Sequence, residues 1–319
     1  MKIVVLDGYT MNPGDNPWSP LEEFGEVQIF ERSAPDEVIP RAMDAEIIVT
    51  NKIEITRERL DALPRLQFVS VTATGVNVVD LEATRERGVP VSNVPEYGSR
   101  TVAQFVMAQL LHLCHRVHHH DDLIREGQWA QRQDFSFWES PQRELVGKTL
   151  GVVGFGRIGQ EVGKLAHAFG MKVLATTGTR RPTVDYSPFE YVSLEQLTHR
   201  SDVVSLHCPL TDTNHQMVNG SFLAAMKPSA FLINTARGAL IHEEDLSAAL
   251  EQGQIAGAAL DVVSTEPIAP HNPLLKAPNC LLTPHMAWAA QESRARLMRS
   301  TAENIRAFLA GTPTNVVND

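Results

Sequence analysis

The stretch GVVGFGRIGQEVGKLAHAFGMKVLATTGTRR, residues 151–181, decides the fold of this chain. It predicts a strand, a glycine-rich turn (GFGRIG), an amphipathic helix and a second strand. In this context Gly154 permits the tight turn, Gly156 lets the backbone approach a pyrophosphate, and Gly159 allows the helix to pack closely on the strand. The free N–H groups and positive end of the helix would face the phosphates. The stretch therefore predicts a dinucleotide-binding unit.

The second strand of this stretch ends without the acid that usually binds the ribose hydroxyls of a dinucleotide. Thr177 occupies that place, and the next four residues are Gly178, Thr179, Arg180 and Arg181. Hydroxyl and guanidinium groups suit a phosphate. We therefore expect a preference for NADP(H). The alternative is a relaxed NAD(H) site whose arginines lie on a solvated loop.

Length and composition indicate two globular domains, since the chain has 319 residues of which 43% are hydrophobic and 21% charged. The formal net charge of -10 is spread along the chain without a basic stripe, which argues against nucleic acid as a partner. No apolar run approaches the roughly 20 residues that span a bilayer, and the N-terminus lacks a signal-peptide pattern. Three widely separated cysteines fit a reducing, cytoplasmic setting.

Two series of short apolar runs, separated by helical spacers, predict parallel sheets flanked by helices. The first series is KIVVLDG, EVQIF, AEIIVT, QFVSVTATG and VPVSN, between residues 2 and 93. The second has six runs, from LGVVGFG at 150 to NCLLTPH at 279, and matches a doubly wound nucleotide-binding domain. The stretch from Thr101 to Trp129 predicts one long connecting helix. A last helix, from Gln291, is expected to return to the first domain.

Three polar residues follow predicted strands of the second series, where open α/β sheets bind ligands: Arg237 in NTARGAL, Glu266 in DVVSTEP and His285 in LLTPHMAW. Each has a structural explanation when taken alone. Together they form the set that reversible reduction of a 2-oxo acid needs. Arg237 can bind a carboxylate through its planar guanidinium, and His285 can give a proton to the carbonyl oxygen as hydride arrives. Glu266 would orient the ring and stabilise the imidazolium.

The ordered series GFGRIG, HCPLT, NTARG, DVVSTEP and TPH, with TATGVNVVD and NVPEYGSRTVAQFVM, resembles the D-isomer-specific 2-hydroxyacid dehydrogenases over essentially the whole chain. MKIVVLDGYTMNPGD and HMAW are most similar to the glycerate dehydrogenases, also called hydroxypyruvate reductases, of that family. The resemblance implies an NAD(P)-dependent homodimer that reduces hydroxypyruvate or glyoxylate to the D-2-hydroxy acid. It implies two Rossmann-like α/β domains with the active site between them. A doubly wound dinucleotide-binding domain (100–286) would be inserted into a flavodoxin-like substrate-binding domain (1–99 with 287–319).

The resemblance also implies roles for individual residues. It maps the family's active-site Arg, Glu and His onto Arg237, Glu266 and His285. Substrate contacts are implied for Arg237 and for the backbone of Ala73, Thr74, Gly75 and Val76. Independently of the resemblance, Trp288, three residues after His285, is a candidate wall of the substrate pocket, with packing between the domains as the alternative. Asp261 is implied beside the nicotinamide carboxamide, and Cys208 with Pro209 beside the adenine. The other implied cofactor contacts are Gly154, Gly156, Arg157, Ile158, Gly159, Thr101, Thr235 and Ala236.

The chain departs from the commonest family pattern at Thr177, where an aspartate is usual. The segment TGTRRP is similar to the loop of NADPH-using glyoxylate and hydroxypyruvate reductases. This resemblance supports Thr177, Thr179, Arg180 and Arg181 as contacts of NADP(H).

Other functions of the same fold remain as alternatives. One is a dehydrogenase for another 2-hydroxy acid. A formate or phosphite dehydrogenase would protonate no 2-oxo acid, and formate dehydrogenases place a glutamine where Glu266 stands. A nucleotide-sensing protein similar to the C-terminal binding protein corepressors would share the active-site residues but show negligible turnover.

The segment HLCHRVHHHDD, at 112–122, contains five histidines, of which His115 and His119 have the i,i+4 spacing that can chelate a metal. No cysteine or carboxylate at a matching distance completes a site. We therefore expect no metal, and instead a solvated or subunit-facing helix. The aromatic segment that follows is a candidate subunit interface, with Trp129, Phe135, Phe137 and Trp138.

Overall fold

The computed structural model describes residues 1–178 and 181–319. Thr179 and Arg180, named above as cofactor contacts, lie outside the described residues. The chain forms two compact units: unit 1 comprises Met1–Gly98 and Trp288–Asp319, and unit 2 comprises Ser99–Ala287. Each unit has its own parallel sheet, which confirms the predicted α/β class. No helix among the described residues, 1–178 and 181–319, is long and apolar enough to cross a membrane.

Unit 1 contains five strands: β1 (Lys2–Val5), β2 (Glu26–Ile29), β3 (Ile47–Thr50), β4 (Phe68–Val71) and β5 (Val91–Ser92). Its helices are α1 (Ser19–Glu22), α2 (Val38–Ala42), α3 (Arg57–Asp61), α4 (Leu81–Glu86) and, after the chain returns from unit 2, α11 (Gln291–Leu309). The strand order is β2-β1-β3-β4-β5, which is the flavodoxin-like order.

Both faces of the unit 1 sheet are covered, so β3 and β4 are buried along their whole length. Ile3 and Ile47 pack with Leu297 of α11 in one core cluster. Phe68 of β4 stacks on Phe308 of the same helix, with ring centroids 4.6 Å apart. The last helix thus closes one face of unit 1, as predicted.

The described residues of unit 2 form seven strands: β6 (Thr149–Val153), β7 (Lys172–Thr176), β8 (Phe189–Tyr191), β9 (Val203–Leu206), β10 (Phe231–Asn234), β11 (Gly257–Leu260) and β12 (Cys280–Leu282). Its helices are α5 (Ser99–His115), α6 (Val117–Arg125), α7 (Arg157–Ala168), α8 (Leu194–Arg200), α9 (Gly220–Ala225) and α10 (Glu243–Glu251). The order β12-β11-β10-β9-β6-β7-β8 is that of a doubly wound sheet. The sequence pattern missed β8, whose three residues are only partly covered at the sheet edge.

The prediction of one long helix from Thr101 to Trp129 is wrong. Arg116 has φ +47°, a left-handed conformation that ends α5 before α6 begins. His115 and His119 therefore lie on different helices, and the i,i+4 relation that a continuous helix would give them does not hold.

His207 lies directly after β9 and is packed beneath the glycine-rich turn. Its Nε2 lies 2.8 Å from the hydroxyl of the buried Ser205. A side chain at Gly154 would meet the His207 carbonyl carbon at 2.6 Å, so the two backbones are in contact. Burial of the ring lowers the pKa of His207 to about 3.

We expect His207 to make the fold sensitive to acid. An unfolded histidine has a pKa of about 6.5, so below that pH the unfolded chain takes up a proton that the folded chain does not. The free energy of unfolding should therefore fall as the pH decreases from about 6.5 towards about 3, by up to about 1.4 kcal/mol per pH unit. His207→Asn should flatten this dependence in urea unfolding followed by circular dichroism. His199→Asn, at an exposed position of α8, should keep it. An equal slope in the two variants would contradict the assignment.

Candidate active site

Arg237, Glu266 and His285 follow the carboxyl ends of three neighbouring strands, β10, β11 and β12. The register pairs Asn234 at the end of β10 with Leu260 at the end of β11. Because parallel strands end at the same edge of a sheet, the loops that follow them meet there. All three side chains thus belong to one edge of unit 2.

The structure brings Glu266 and His285 into direct contact. Oε2 of Glu266 lies 2.7 Å from Nδ1 of His285, and the two side chains are 36% and 30% exposed. Oε1 of Glu266 accepts a hydrogen bond from the Val263 amide at 3.3 Å. A carboxylate at Nδ1 fixes the ring orientation and makes Nε2 the nitrogen that can exchange a proton with a ligand.

The loop that bears His285 is held by the buried carboxylate of Asp261. His285 has φ +53°, and its amide donates to the Asp261 carbonyl at 2.8 Å. Oδ1 of Asp261 accepts from the Thr283 hydroxyl at 2.6 Å and from the Met286 amide at 2.9 Å. Oδ2 accepts from the Ala287 amide at 2.8 Å. These bonds stabilise the left-handed backbone conformation of His285, which a loop without such bonds would rarely adopt.

Gln109 extends this network and was missed by the sequence analysis. It is 2% exposed on α5, and its Nε2 donates to the Thr283 hydroxyl at 3.2 Å. It shares the buried face of α5 with Val102 and Val106. A polar residue on the apolar face of a helix was the available signal.

Asn234, also missed by the sequence analysis, shapes the Arg237 loop. Its Oδ1 accepts from the Ala236 amide and its Nδ2 donates to the Arg237 carbonyl, both at 2.9 Å. The Arg237 side chain is exposed and donates through Nη1 to the Ala236 carbonyl at 2.7 Å. A Cβ at Gly238 would lie 1.9 Å from the carbonyl carbon of Val263. The Arg237 loop therefore packs directly on the loop that leads to Glu266.

The glycine-rich turn has a different geometry at each of its glycines. Gly154 has φ +95°, and a Cβ there would meet the Cys208 amide nitrogen at 2.4 Å. At Gly159 it would meet the Gly154 carbonyl oxygen at 2.2 Å, because α7 lies close to the turn. At Gly156 it would meet nothing within 4 Å, and no side chain caps the helix that starts there. The N-terminus of α7 is thus open to an anionic ligand.

The surroundings of this turn fit a dinucleotide. The Gly154 amide donates to the Thr176 carbonyl at 2.9 Å, which places the end of β7 and Thr177 beside the turn. In the NTARG loop, the Thr235 hydroxyl is buried and has no hydrogen-bond partner among residues 1–178 and 181–319. An open helix terminus and an unpaired buried hydroxyl at the same sheet edge suit a large polar ligand.

The other residues implied as cofactor contacts lie in or shortly after helices and strands of unit 2. Arg181 is exposed, and its guanidinium carbon lies 5.5 Å from the centroid of the Tyr191 ring. The remaining positions are Arg157 and Ile158 in the first turn of α7, Cys208 and Pro209 after β9, Ala236 after β10, and Thr101 in α5.

Residues 73–76, implied as substrate contacts, follow β4 in unit 1. The Ala73 carbonyl accepts from the Val94 amide at 3.0 Å, and the Thr74 carbonyl accepts from Asn93 Nδ2 at 2.8 Å. The amides of residues 74–76 donate to no acceptor in the part of the chain that the structure describes. Backbone amides without an acceptor in the protein can bind an anion.

Trp288, the candidate pocket wall, is the first residue of unit 1 after the chain leaves unit 2. Its ring packs edge-on against Tyr97, with centroids 6.1 Å apart. A Cβ at Gly98 would lie 3.8 Å from the Trp288 Cβ. The tryptophan is therefore packed beside the residue at which the chain first leaves unit 1.

One group of described side chains on α6 has the composition of a metal site. His118, Asp121 and Asp122 have ligand atoms within 4.8 Å of one another. Asp121 pairs with Arg125 at 2.7 Å, and His118 and Asp122 are 3.8 Å apart. Exposed ion pairs of this i,i+4 kind are ordinary on helix surfaces.

Comparisons with known proteins identify the family of the chain. The family model for the NAD binding domain of D-isomer specific 2-hydroxyacid dehydrogenases matches residues 107–287. The chain is 49% identical to a hydroxypyruvate reductase of Blautia hydrogenotrophica over 100% of both chains. It is 37% identical to a glycerate dehydrogenase of Methylorubrum extorquens, over 99% of this chain and 98% of the relative.

Among solved structures, an NADPH-dependent glyoxylate/hydroxypyruvate reductase of Sinorhizobium meliloti, in complex with NADP and malonate, superposes with a TM-score of 0.83. It is 29% identical, and the match covers 99% of this chain and 96% of that chain. The family predicted from the sequence motifs is confirmed: the chain belongs to the D-isomer-specific 2-hydroxyacid dehydrogenases.

Proposed function

We propose that the protein reduces a small 2-oxo acid, hydroxypyruvate or glyoxylate, to the D-2-hydroxy acid, with NADPH as the preferred cofactor. The observation that carries this proposal is the 2.7 Å contact of Glu266 with His285, at the sheet edge that also bears Arg237. Hydroxypyruvate and glyoxylate are the substrates in the names of the similar proteins.

We assign the proton transfer to His285. Its Nδ1 is held by Glu266, so the imidazolium gives its Nε2 proton to the carbonyl oxygen of the substrate. The adjacent carboxylate stabilises the positive ring before the transfer. An NAD(P)H molecule held by the glycine-rich turn would supply the hydride.

We assign the substrate carboxylate to the guanidinium of Arg237 and to the backbone amides of residues 74–76, and we assign a wall of the substrate pocket to Trp288. The guanidinium offers planar, paired donors to a carboxylate. Unit 2 then has the role of dinucleotide-binding domain and unit 1 that of substrate-binding domain. With its three unpaired cysteines, such an enzyme suits the cytoplasm.

Loss of the proposed proton donor should reduce turnover severely. In His285→Ala we expect kcat for hydroxypyruvate or glyoxylate reduction to fall by about 10²- to 10⁴-fold. Arg237→Ala should also raise the KM for the oxo acid, because the carboxylate loses its cation. The exposed His271→Ala is the matched control and should keep the wild-type rate. Turnover of His285→Ala near the wild-type rate would contradict the mechanism.

The preference for NADPH rests on the end of β7. Thr177 stands where an acid would repel a 2'-phosphate, and Arg181 is exposed after it. Thr179 and Arg180 supply a further hydroxyl and guanidinium in the sequence. These groups favour the phosphate of NADPH over the free ribose of NADH.

Oxidation of NADPH and of NADH at 340 nm, each with hydroxypyruvate, glyoxylate, pyruvate and a bulky 2-oxo acid, tests both the substrate and the cofactor. We expect the KM for NADPH to be lower than that for NADH by about tenfold or more, as one charged hydrogen bond would give. Thr177→Asp and Arg181→Ala should reduce the preference, whereas Arg200→Ala, paired with Glu190 on the surface, should not. A lower KM for NADH would overturn the cofactor assignment but not the reaction.

We further propose that the protein is a homodimer joined through the segment after α5. This segment exposes large apolar side chains: Val117 is 70% exposed, Phe135 89% and Trp138 65%. Clustered aromatic side chains of this kind are typical of subunit interfaces.

The double variant Phe135→Asp with Trp138→Asp should shift the protein from dimer to monomer in size-exclusion chromatography with light scattering, because charges would be buried in the interface. Phe169→Asp, at another exposed phenylalanine of unit 2, should leave the dimer intact. A monomeric wild-type protein at micromolar concentration would refute this assignment.

A further inference from the structure

Glu243, the first residue of α10, carries a buried carboxylate with a complete set of partners. The residue is only 7% exposed. Oε1 accepts from the Ser264 amide at 2.7 Å, and Oε2 accepts from the Ser264 hydroxyl and from Asn272 Nδ2, both at 2.8 Å. Burial of a carboxylate is costly unless such bonds replace those to water. The three donors tie one stretch of chain, 264–272, to the start of α10.

That stretch contains Glu266, two residues beyond Ser264. The Val263 amide bonds back to Glu266 Oε1, so residues 263–266 form a tight turn. The Gly238 backbone is in contact with the Val263 carbonyl, at the peptide whose Ser264 amide donates to Glu243. Gly238 and Glu243 therefore both hold the start of this turn.

We propose that Glu243 is a positioning residue that sets the reach of Glu266 towards His285, and this inference rests on the proposed function. Glu266 Oε2 lies 2.7 Å from His285 Nδ1, while the turn that carries Glu266 is held by Gly238 and Glu243. If Glu243 releases Ser264, the turn can move, and the carboxylate of Glu266 is no longer held at hydrogen-bond distance. Glu243 acts on the imidazolium only through Glu266.

A purely structural role would have a different signature. An acid in the first turn of a helix stabilises the helix through its dipole, and its loss would lower stability without altering the hydrogen bond between Glu266 and His285. Glu244 lies in the same turn, is exposed, and has no such bonds to the 264–272 stretch. It is the matched control.

The first test is Glu243→Gln, which keeps the shape but turns an amide donor towards the donors of Ser264 and Asn272. We expect kcat for 2-oxo acid reduction to fall by about ten- to hundredfold, the loss typical of a small misplacement of a catalytic group. The KM for NADPH should stay within about twofold of wild type, since the glycine-rich turn is untouched. The value of kcat/KM for the oxo acid should fall together with kcat, because the variant affects the orientation of the proton donor.

Three further variants separate positioning from stability. Glu244→Gln should behave as wild type. Ser264→Ala removes only the hydroxyl bond and should give a smaller change in the same direction, which keeps the test open if Glu243→Gln folds poorly. Glu243→Gln combined with Glu266→Gln should be no slower than Glu266→Gln alone, because residues that act in series are not additive.

A kcat within about twofold of wild type in Glu243→Gln, or additive losses in the double variant, would overturn the inference. The NMR signal of the His285 Nδ1–H proton reports the hydrogen bond to Glu266 without turnover, and it should move upfield in Glu243→Gln because that bond is weakened. An unmoved signal would reject the positioning role even if the wild-type protein reduced no oxo acid. If the wild-type protein reduced none of the four oxo acids with NADPH or NADH, the proposed function would be rejected, whatever the result of the NMR experiment.

Discussion

The carboxylate of Asp261 is buried at the end of β11 and accepts three hydrogen bonds from the loop after β12. An isolated charge there would cost several kcal/mol, so the loop and the carboxylate stabilise one another. The bonds hold His285 in a left-handed backbone conformation and direct its ring towards Glu266. The same carboxylate links α5 to the site, because Gln109 bonds to Thr283, its hydroxyl donor. The proposed proton donor, His285, is thus oriented by buried groups that hold its loop.

The net charge of -10 would repel anionic ligands, so an anion must bind at a local group of positive charge or at backbone amides. The groups available for phosphates and carboxylates are backbone amides and a few guanidinium groups. The open N-terminus of α7 at Gly156 and the unpaired amides of residues 74–76 are neutral groups whose dipoles favour an anion. Arg237 and Arg181 add exposed guanidinium groups near the ends of their strands.

Much of the architecture was predictable from the order of apolar runs, because strands buried on both faces are nearly continuous apolar segments. The errors have local physical causes. β8 is three residues long and only partly buried at the sheet edge, so its pattern is weak. The helix breaks at Arg116 although no glycine or proline is present there. Because an arginine rarely adopts a left-handed conformation, the sequence pattern could not predict this break.

The sequence by itself determined the family, the glycine-rich turn and the polar residues that follow the strands, because these depend on spacing within short segments. Only the tertiary structure decided which buried polar groups hold them. Gln109 meets Thr283 across 174 positions, and Glu243 meets Ser264 across 21. A buried polar group must find a partner wherever the fold provides one, and the strand order, not the local pattern, sets which residues become neighbours.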